Sequence, residues 1–176
     1  YCDNARVTGN EFVGNSVGSF LMYSRRVTLD GNWIENNRGA SGYGVGLKDM
    51  ESYTVRGNVI AGNRVGLFME NANGEAADNV VAFNEKGVSI SPSCLRNAIR
   101  DNTFLENGEQ VAVEGHMPLG PGNVWAGNFW SDYRGLDADG PAKDAEDAQP
   151  RRRARAIVVQ RALQRRAMLS LCASRP

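Results

Sequence analysis

His116 and Met117 are the first residues whose types suggest chemistry. They are adjacent within a Gly- and Pro-rich segment, residues 115–122, and His116 is the one histidine of the chain. Imidazole and thioether groups are ligands that suit Cu(I). The pair therefore predicts a copper-binding loop, and the alternative is a surface loop with no ligand role. Met22 and Met50 are expected outside the core, where they could add thioethers, whereas Met69 is expected inside it.

Acidic residues suggest two other kinds of chemistry. Asp78 and Asp101 each precede an asparagine, and a glycosidase needs two carboxylates at a set separation in a groove. The alternative is that each aspartate replaces a glycine at a turn. The Asp-Ala-Asp-Gly run at 137–140 resembles the start of a calcium loop. Pro141 interrupts it and the later acids are out of spacing, which argues against calcium.

A repeat of 21–26 residues must position these groups. Each copy is marked by an asparagine that follows Gly or Asp, and in the first five copies a second asparagine follows five residues later. The anchors are Asn10, Asn32, Asn58, Asn79, Asn102 and Asn128, and the second set is Asn15, Asn37, Asn63, Asn84 and Asn107. Because the interval is constant within each copy, both asparagines should occupy equivalent positions in every coil.

Apolar residues keep the same phase as the anchors. They stand three residues before each anchor, two after it, and in alternation at plus nine and plus eleven, which is the period of a β-strand. Stacked coils would pair each short strand with its equivalents about 4.8 Å away and turn the apolar positions into internal columns. The pattern predicts a right-handed parallel β-helix of about six coils over residues 1–135. Disorder would not keep the columns in phase, and a β-propeller needs longer repeats.

Two details of the repeat predict local structure. Buried asparagine side chains should hydrogen-bond from coil to coil, since an unpaired buried amide costs about 1–3 kcal/mol. The second copy is long, and its plus-nine and plus-eleven residues, Val45 and Leu47, come four positions late. This delay predicts a four-residue insertion around residues 38–43. Tyr1 already lies within the repeat, so further coils are expected before it.

The C-terminal part has a different composition. Residues 1–149 carry 12 Lys and Arg against 20 Asp and Glu, whereas residues 150–176 carry 8 Arg and no acid. All the glycines and asparagines lie at or before Gly140. We therefore separate residues 136–176 as an irregular or weakly helical tail, of the kind that a shifted reading frame in GC-rich DNA or a replaced terminus would give. The alternative is a basic amphipathic helix over 155–173 that binds a membrane or a partner.

Neither the cysteines nor the hydropathy narrows the function further. Cys2, Cys94 and Cys172 are scattered without metal-type spacing, and their odd number argues against a complete disulfide framework. No stretch of the sequence reaches the roughly 18–20 apolar residues that span a bilayer.

Three segments resemble the NosD family over about residues 4–140. Residues 41–50 read Ser-Gly-Tyr-Gly-Val-Gly-Leu-Lys-Asp-Met, residues 107–113 read Asn-Gly-Glu-Gln-Val-Ala-Val, and residues 127–140 begin Gly-Asn-Phe-Trp-Ser-Asp-Tyr. The first segment is the most discriminating. Similar proteins continue after Gly140 with more Asp-Gly and a Pro-Tyr, and this chain departs from them there.

The resemblance implies a periplasmic β-helix protein (a CASH domain) that acts in denitrification without being an enzyme. Family members assist maturation of nitrous oxide reductase and are linked to transient copper delivery to its copper–sulfur centre. The partners implied are an ABC transporter ATPase and membrane subunits, a copper chaperone and the reductase, with no nucleic acid. The resemblance supplies no copper-ligand motif for this chain, so His116 and Met117 rest on residue chemistry alone. The alternative function is a carbohydrate-binding or carbohydrate-cleaving β-helix protein.

Overall fold

A computed structural model describes residues 2–132, and this part of the chain is built from β-strands and turns. It contains sixteen strands, most of them three to seven residues long. They are β1 Arg6–Thr8, β2 Glu11–Val13, β3 Ser19–Arg25, β4 Thr28–Asp30, β5 Trp33–Glu35, β6 Tyr43–Arg56, β7 Val59–Ala61, β8 Val65–Glu70, β9 Asn73–Ala77, β10 Val80–Ala82, β11 Lys86–Ile90, β12 Ala98–Arg100, β13 Thr103–Leu105, β14 Glu109–Val113, β15 Val124–Ala126 and β16 Phe129–Trp130.

The strands stack in three parallel columns. One column is a six-stranded sheet in the order β16-β13-β10-β7-β5-β2, with one strand from each repeat. The other two columns join into a ten-stranded sheet because the long strand β6 runs through both. Six anchored repeats are thus linked by five turns of a solenoid, and the predicted parallel β-helix is confirmed.

The apolar columns run in the predicted register. The column three residues before the anchor pairs Val7, Leu29, Val55, Ala76, Ile99 and Trp125 in succession, and the column two residues after it pairs Phe12, Ile34, Ile60, Val81, Phe104 and Trp130. Their central members are at most 2% exposed and form one continuous core.

The core also corrects one expectation. Met50 is 1% exposed and packs in the core, so placing it outside was wrong. It lies where β6 turns from one column into the next, and strand alternation does not carry over a corner.

Both predicted asparagine ladders are present. Each side-chain amide donates to the Oδ1 atom of the asparagine one coil on, at 2.9–3.2 Å, along Asn10-Asn32-Asn58-Asn79-Asn102-Asn128 and along Asn37-Asn63-Asn84-Asn107. The same Oδ1 atoms also accept a backbone N–H from the preceding coil. Within residues 2–132, no buried side-chain polar atom lacks a hydrogen-bond partner.

The sequence did not predict how the second ladder ends or that a third one exists. Asn107 donates to Gln110 Oε1 at 2.8 Å, and Gln110 in turn donates to Ser131 Oγ at 3.2 Å. A short third ladder joins Asn97 to Asn123 at 2.9 Å. The buried Tyr53 hydroxyl donates to Asn97 Oδ1 at 2.8 Å, and burial raises the pKa of Tyr53 well above its usual value.

The insertion in the second copy is confirmed by register. The backbone N–H of Gly39 still bonds to Ser16 O at 3.1 Å, whereas Val45 already pairs with Ser19. Residues 40–43 are therefore the four extra residues, and they form a bulge in the coil. Arg64 of the next coil donates a guanidinium hydrogen bond to Ala40 O and anchors the bulge.

Two parts of the sequence-based interpretation lie outside the described residues. These are the 137–140 Asp-Ala-Asp-Gly run and the predicted tail, residues 136–176, with its 155–173 alternative helix. Among the residues that the structure describes, no helix is long and apolar enough to cross a membrane.

The ladder predicts that the cost of losing an asparagine depends on its place in the column. Asn63→Ala should lower the free energy of unfolding in urea by about 3 kcal/mol or more, since it leaves buried groups on both neighbouring coils without partners. Asn63 is fully buried, and its side chain makes hydrogen bonds to Asn37, Asn84 and two carbonyl groups. Asn10→Ala, at the exposed end of the other ladder, is the control and should cost about 1 kcal/mol or less. Equal losses would contradict a ladder role.

The corner column predicts a stabilising substitution. Gly14, Asn36, Gly62, Phe83 and Glu106 occupy equivalent corners with φ between 52 and 69°. This left-handed conformation costs a residue with a Cβ about 1–2 kcal/mol, and glycine gives back about 0.5–1 kcal/mol through its unfolded-state entropy.

Glu106→Gly should therefore raise the free energy of unfolding in urea by about 0.5–1 kcal/mol. The same change at Glu109, which lies in strand β14, should lower it, because glycine weakens a strand. A loss of equal size at both positions would show that the corner is not strained.

Candidate functional site

His116 and Met117 lie in the loop between β14 and β15. Both side chains are exposed, and Met117 is 70% accessible. His116 has no hydrogen bond or ion pair to another described residue. Both residues are therefore accessible to solvent, which suits a site that accepts and releases a metal ion more than a closed resident site.

The other soft side chains are distant from solvent or scattered. Met69 and Cys94 are buried in the core, where Met69 Sδ lies 3.9 Å from the Tyr53 hydroxyl. Burial raises the pKa of the Cys94 thiol, which keeps it protonated and unreactive at neutral pH. Met22 is 37% exposed on strand β3. Over residues 2–132, no three His, Cys, Asp or Glu side chains converge on a common point that could hold a metal.

The imidazole of His116 and the thioether of Met117 suit Cu(I) as an ion that is carried and passed on, that is, as cargo. A histidine nitrogen and a methionine sulfur are ligands that bind Cu(I) in preference to hard cations. In the described chain the loop offers two such ligands and leaves further positions to water or to a second protein. Copper binding by His116 and Met117 therefore stays a prediction.

Asp78 and Asp101 occupy turn positions. Their φ angles are 54 and 55°, close to those of Gly31, Gly57 and Gly127 at the equivalent corners. Asp78 is engaged by Arg56, whose Nε lies 3.0 Å from its Oδ2 atom. The turn interpretation therefore accounts for both aspartates, since Asp tolerates the left-handed region better than most residues.

An outer groove of about 630 Å³ crosses the outward face of strands β6, β8, β11 and β14. It is lined by residues of the strands, of the neighbouring corner and of the bulge, namely Ala40, Ser41, Tyr43, Arg64, Val65, Phe68, Glu70, Glu85, Lys86, Ser89, Ser91, Glu109 and Glu114. Ala40, Ser41 and Tyr43 belong to the insertion, so three of the four extra residues line the groove.

Aromatic rings form one end of the outer groove. Tyr43 stacks on Phe68 with ring centroids 4.4 Å apart and an angle of 6° between the planes, and Phe20 stacks on the other side of Tyr43 at 5.8 Å. The stack depends on Gly46, because a Cβ there would collide with the Phe20 ring. A glycine in the middle of the sheet therefore makes room for three outward-facing rings.

Ion pairs between neighbouring coils hold most of the charged groups of the outer groove. Lys48 Nζ lies 3.0 Å from Glu70 Oε1, a bond that raises the pKa of the lysine. Arg64 contacts Glu85 at 3.7 Å. The hydrogen bond from Ser89, helped by Lys86, lowers the pKa of the Glu114 carboxyl.

Among the acidic residues that line the described groove, Glu109 differs from those held by ion pairs. It is exposed, and its carboxylate makes no ion pair or hydrogen bond there.

Sequence reasoning missed the outer groove. Its residues come from four coils and occupy equivalent positions in them, as Val65, Lys86 and Glu109 do, but their types change from copy to copy. The one signal was the insertion, since a bulge on a regular solenoid creates a concave surface beside it. Residues 41–50, which contain Ser41, Tyr43 and Gly46, combine that insertion with the glycine that accommodates the ring stack.

Comparison with known proteins gave one match. The model of a family described as "Periplasmic copper-binding protein (NosD)" matches residues 1–135. No curated protein and no solved structure matches the chain significantly. The family match covers the whole of the described solenoid, including the outer groove and the loop that carries His116 and Met117.

Proposed function

We propose a function for this chain from the premise that it belongs to the NosD family of periplasmic copper-binding proteins. It acts as a non-enzymatic accessory protein that assists copper delivery to the copper–sulfur centre of nitrous oxide reductase. The family match over residues 1–135 carries this proposal. The exposed imidazole and thioether of one loop support it, because delivery requires a site that a partner can reach.

The proposed partners are the reductase, a copper chaperone and an ABC transporter with its ATPase and membrane subunits. A solenoid suits such a role since each coil contacts only its neighbours and its outer surface stays continuous and available. The hydrogen-bonded ladders keep that surface rigid, so little ordering entropy opposes docking. The membrane subunit is the transporter part that a periplasmic protein can contact directly.

The copper-carrying loop leads to a binding prediction. The double variant His116→Ala with Met117→Ala should weaken Cu(I) binding by about tenfold or more, because it removes both soft ligands of the loop. Affinity is measured by competition with a chromophoric Cu(I) chelator under reducing conditions. The fold should be unaffected, since both side chains are exposed.

Met22→Ala is the matched control for this experiment. Met22 is also an exposed methionine, but it lies on strand β3, away from the loop. Its removal should leave the Cu(I) affinity unchanged. Unchanged affinity of the double variant would refute the assignment of His116 and Met117, and equal losses in the control would point to methionines in general.

The maturation role leads to a prediction in cells. In a host whose own copy of the gene is replaced by the His116→Ala, Met117→Ala version, nitrous oxide reductase should be purified with less copper at its copper–sulfur centre. Copper content and the visible spectrum of the purified reductase measure the effect. Met22→Ala cells should give a fully loaded enzyme, whereas a fully loaded reductase from cells lacking the gene would contradict the proposed role.

A further inference from the structure

We propose that the outer groove binds a short oligosaccharide of uncharged pyranose rings. This function is separate from copper delivery and uses different residues. The groove measures about 630 Å³, within the range of roughly 300–1,000 Å³ typical of small-molecule sites. It extends over four neighbouring strands, about 14 Å at the spacing of paired strands, which is long enough for more than one sugar ring.

The Phe68 ring provides an apolar platform. One of its faces is covered by Tyr43 at a centroid distance of 4.4 Å. On the other side, the residues that follow Phe68 in the same outward column are Ser89 and Ala112, whose side chains are too small to stack on it. A half-buried ring that borders a groove can receive the C–H face of a pyranose, which is flat and apolar.

The rim of the outer groove suits hydroxyl groups. Each sugar hydroxyl is both a donor and an acceptor. The carboxylates of Glu109 and Glu114 can accept from such groups, and Lys86 can donate to them. The ion pair between Lys86 and Glu114, at 3.4 Å, holds both side chains in place before a ligand arrives. Fixed polar groups around one apolar face are the usual design of a site that orients a polar ligand.

The charge of the groove selects among sugars. Its lining contains four carboxylates, those of Glu70, Glu85, Glu109 and Glu114, against the two cations of Arg64 and Lys86. A uronic acid would add a further negative charge beside an excess of carboxylates and would be repelled. Since ion pairs engage three of the four acids, the groove is also a weak site for amines. Neutral sugars are therefore the favoured class.

The experiment is isothermal titration calorimetry of the full chain with four probes. Cellotriose and tri-N-acetylchitotriose are neutral, trigalacturonate is acidic and putrescine is a diamine. We expect millimolar or tighter binding of at least one neutral trisaccharide, and weaker or no binding of trigalacturonate and putrescine. Failure of both neutral sugars, or binding that is tightest for the acid or the amine, would overturn the proposal.

Variants locate the binding to the groove. Phe68→Ala should lower the affinity for the neutral sugar by about tenfold. Phe83→Ala is the control, because Phe83 is a surface phenylalanine, 38% accessible, that does not line the groove, and it should bind like the unmodified chain.

Glu109→Gln keeps the side-chain shape and removes the free carboxylate, so it should weaken sugar binding even if Phe68→Ala disturbs the sheet. Circular dichroism of each variant checks the fold. If Glu109→Gln and a folded Phe68→Ala both bind like the unmodified chain, the sugar does not occupy the outer groove. Loss of Cu(I) binding in the loop variant would not change these results, so the two proposals fail independently.

Discussion

Satisfaction of the buried asparagine amides is the constraint on which this structure depends. One ladder of these side chains runs from Asn10 to Asn128 and a second from Asn37 to Asn107, and within them each amide donates to the side-chain oxygen of the asparagine one coil away. An amide in this position has no water to bond, so a coil displaced by one residue would leave several polar groups unpaired. The apolar columns drive the coils together, but apolar packing tolerates slippage. The ladders set the register.

The same constraint decides where the outer groove and the loop with His116 and Met117 can lie. Because every coil must return to its asparagine positions, extra residues can enter only between them, as bulges. Residues 40–43 form such a bulge, and Ala40, Ser41 and Tyr43 from it line the outer groove. The loop with His116 and Met117 is also an excursion, between the consecutive strands β14 and β15. Candidate binding groups therefore lie where the repeat is interrupted, and the regular coils act as the support that positions them.

A rigid support has consequences for a protein that handles copper. The family description places the chain in the periplasm among copper-binding proteins. In the described part, Met69 and Cys94 are buried, whereas Cys2, Met22, His116 and Met117 are exposed. The buried thiol of Cys94 has a raised pKa and is sealed in the core, so a metal ion cannot reach it without unfolding. Exposed His116 and Met117 are reachable, and the difference follows from burial alone.

The repeat period determined most of the fold. Spacing between Asn10 and Asn128, together with the apolar phase, was enough to predict the coils, the inward columns, both long ladders and the four-residue insertion, because each of these features recurs at a fixed position within a copy. Corners were less predictable. Met50 was misplaced since alternation is lost where β6 bends. The Tyr53–Asn97 bond was missed because the position five residues before the anchor carries a different residue type in each of these copies.

For the candidate sites, the sequence by itself determined which side chains have suitable chemistry, and it identified His116, Met117 and the two aspartates by type. Only the tertiary structure decided their surroundings. It placed Asp78 and Asp101 at strained corners, left His116 and Met117 open to solvent, and brought Tyr43, Phe68 and Glu109 from three coils into one groove. The physical reason is that the repeat specifies apolar types at the inward positions, whereas an outward-facing site depends on which residue types meet at the outward positions of neighbouring coils, and these types change from copy to copy.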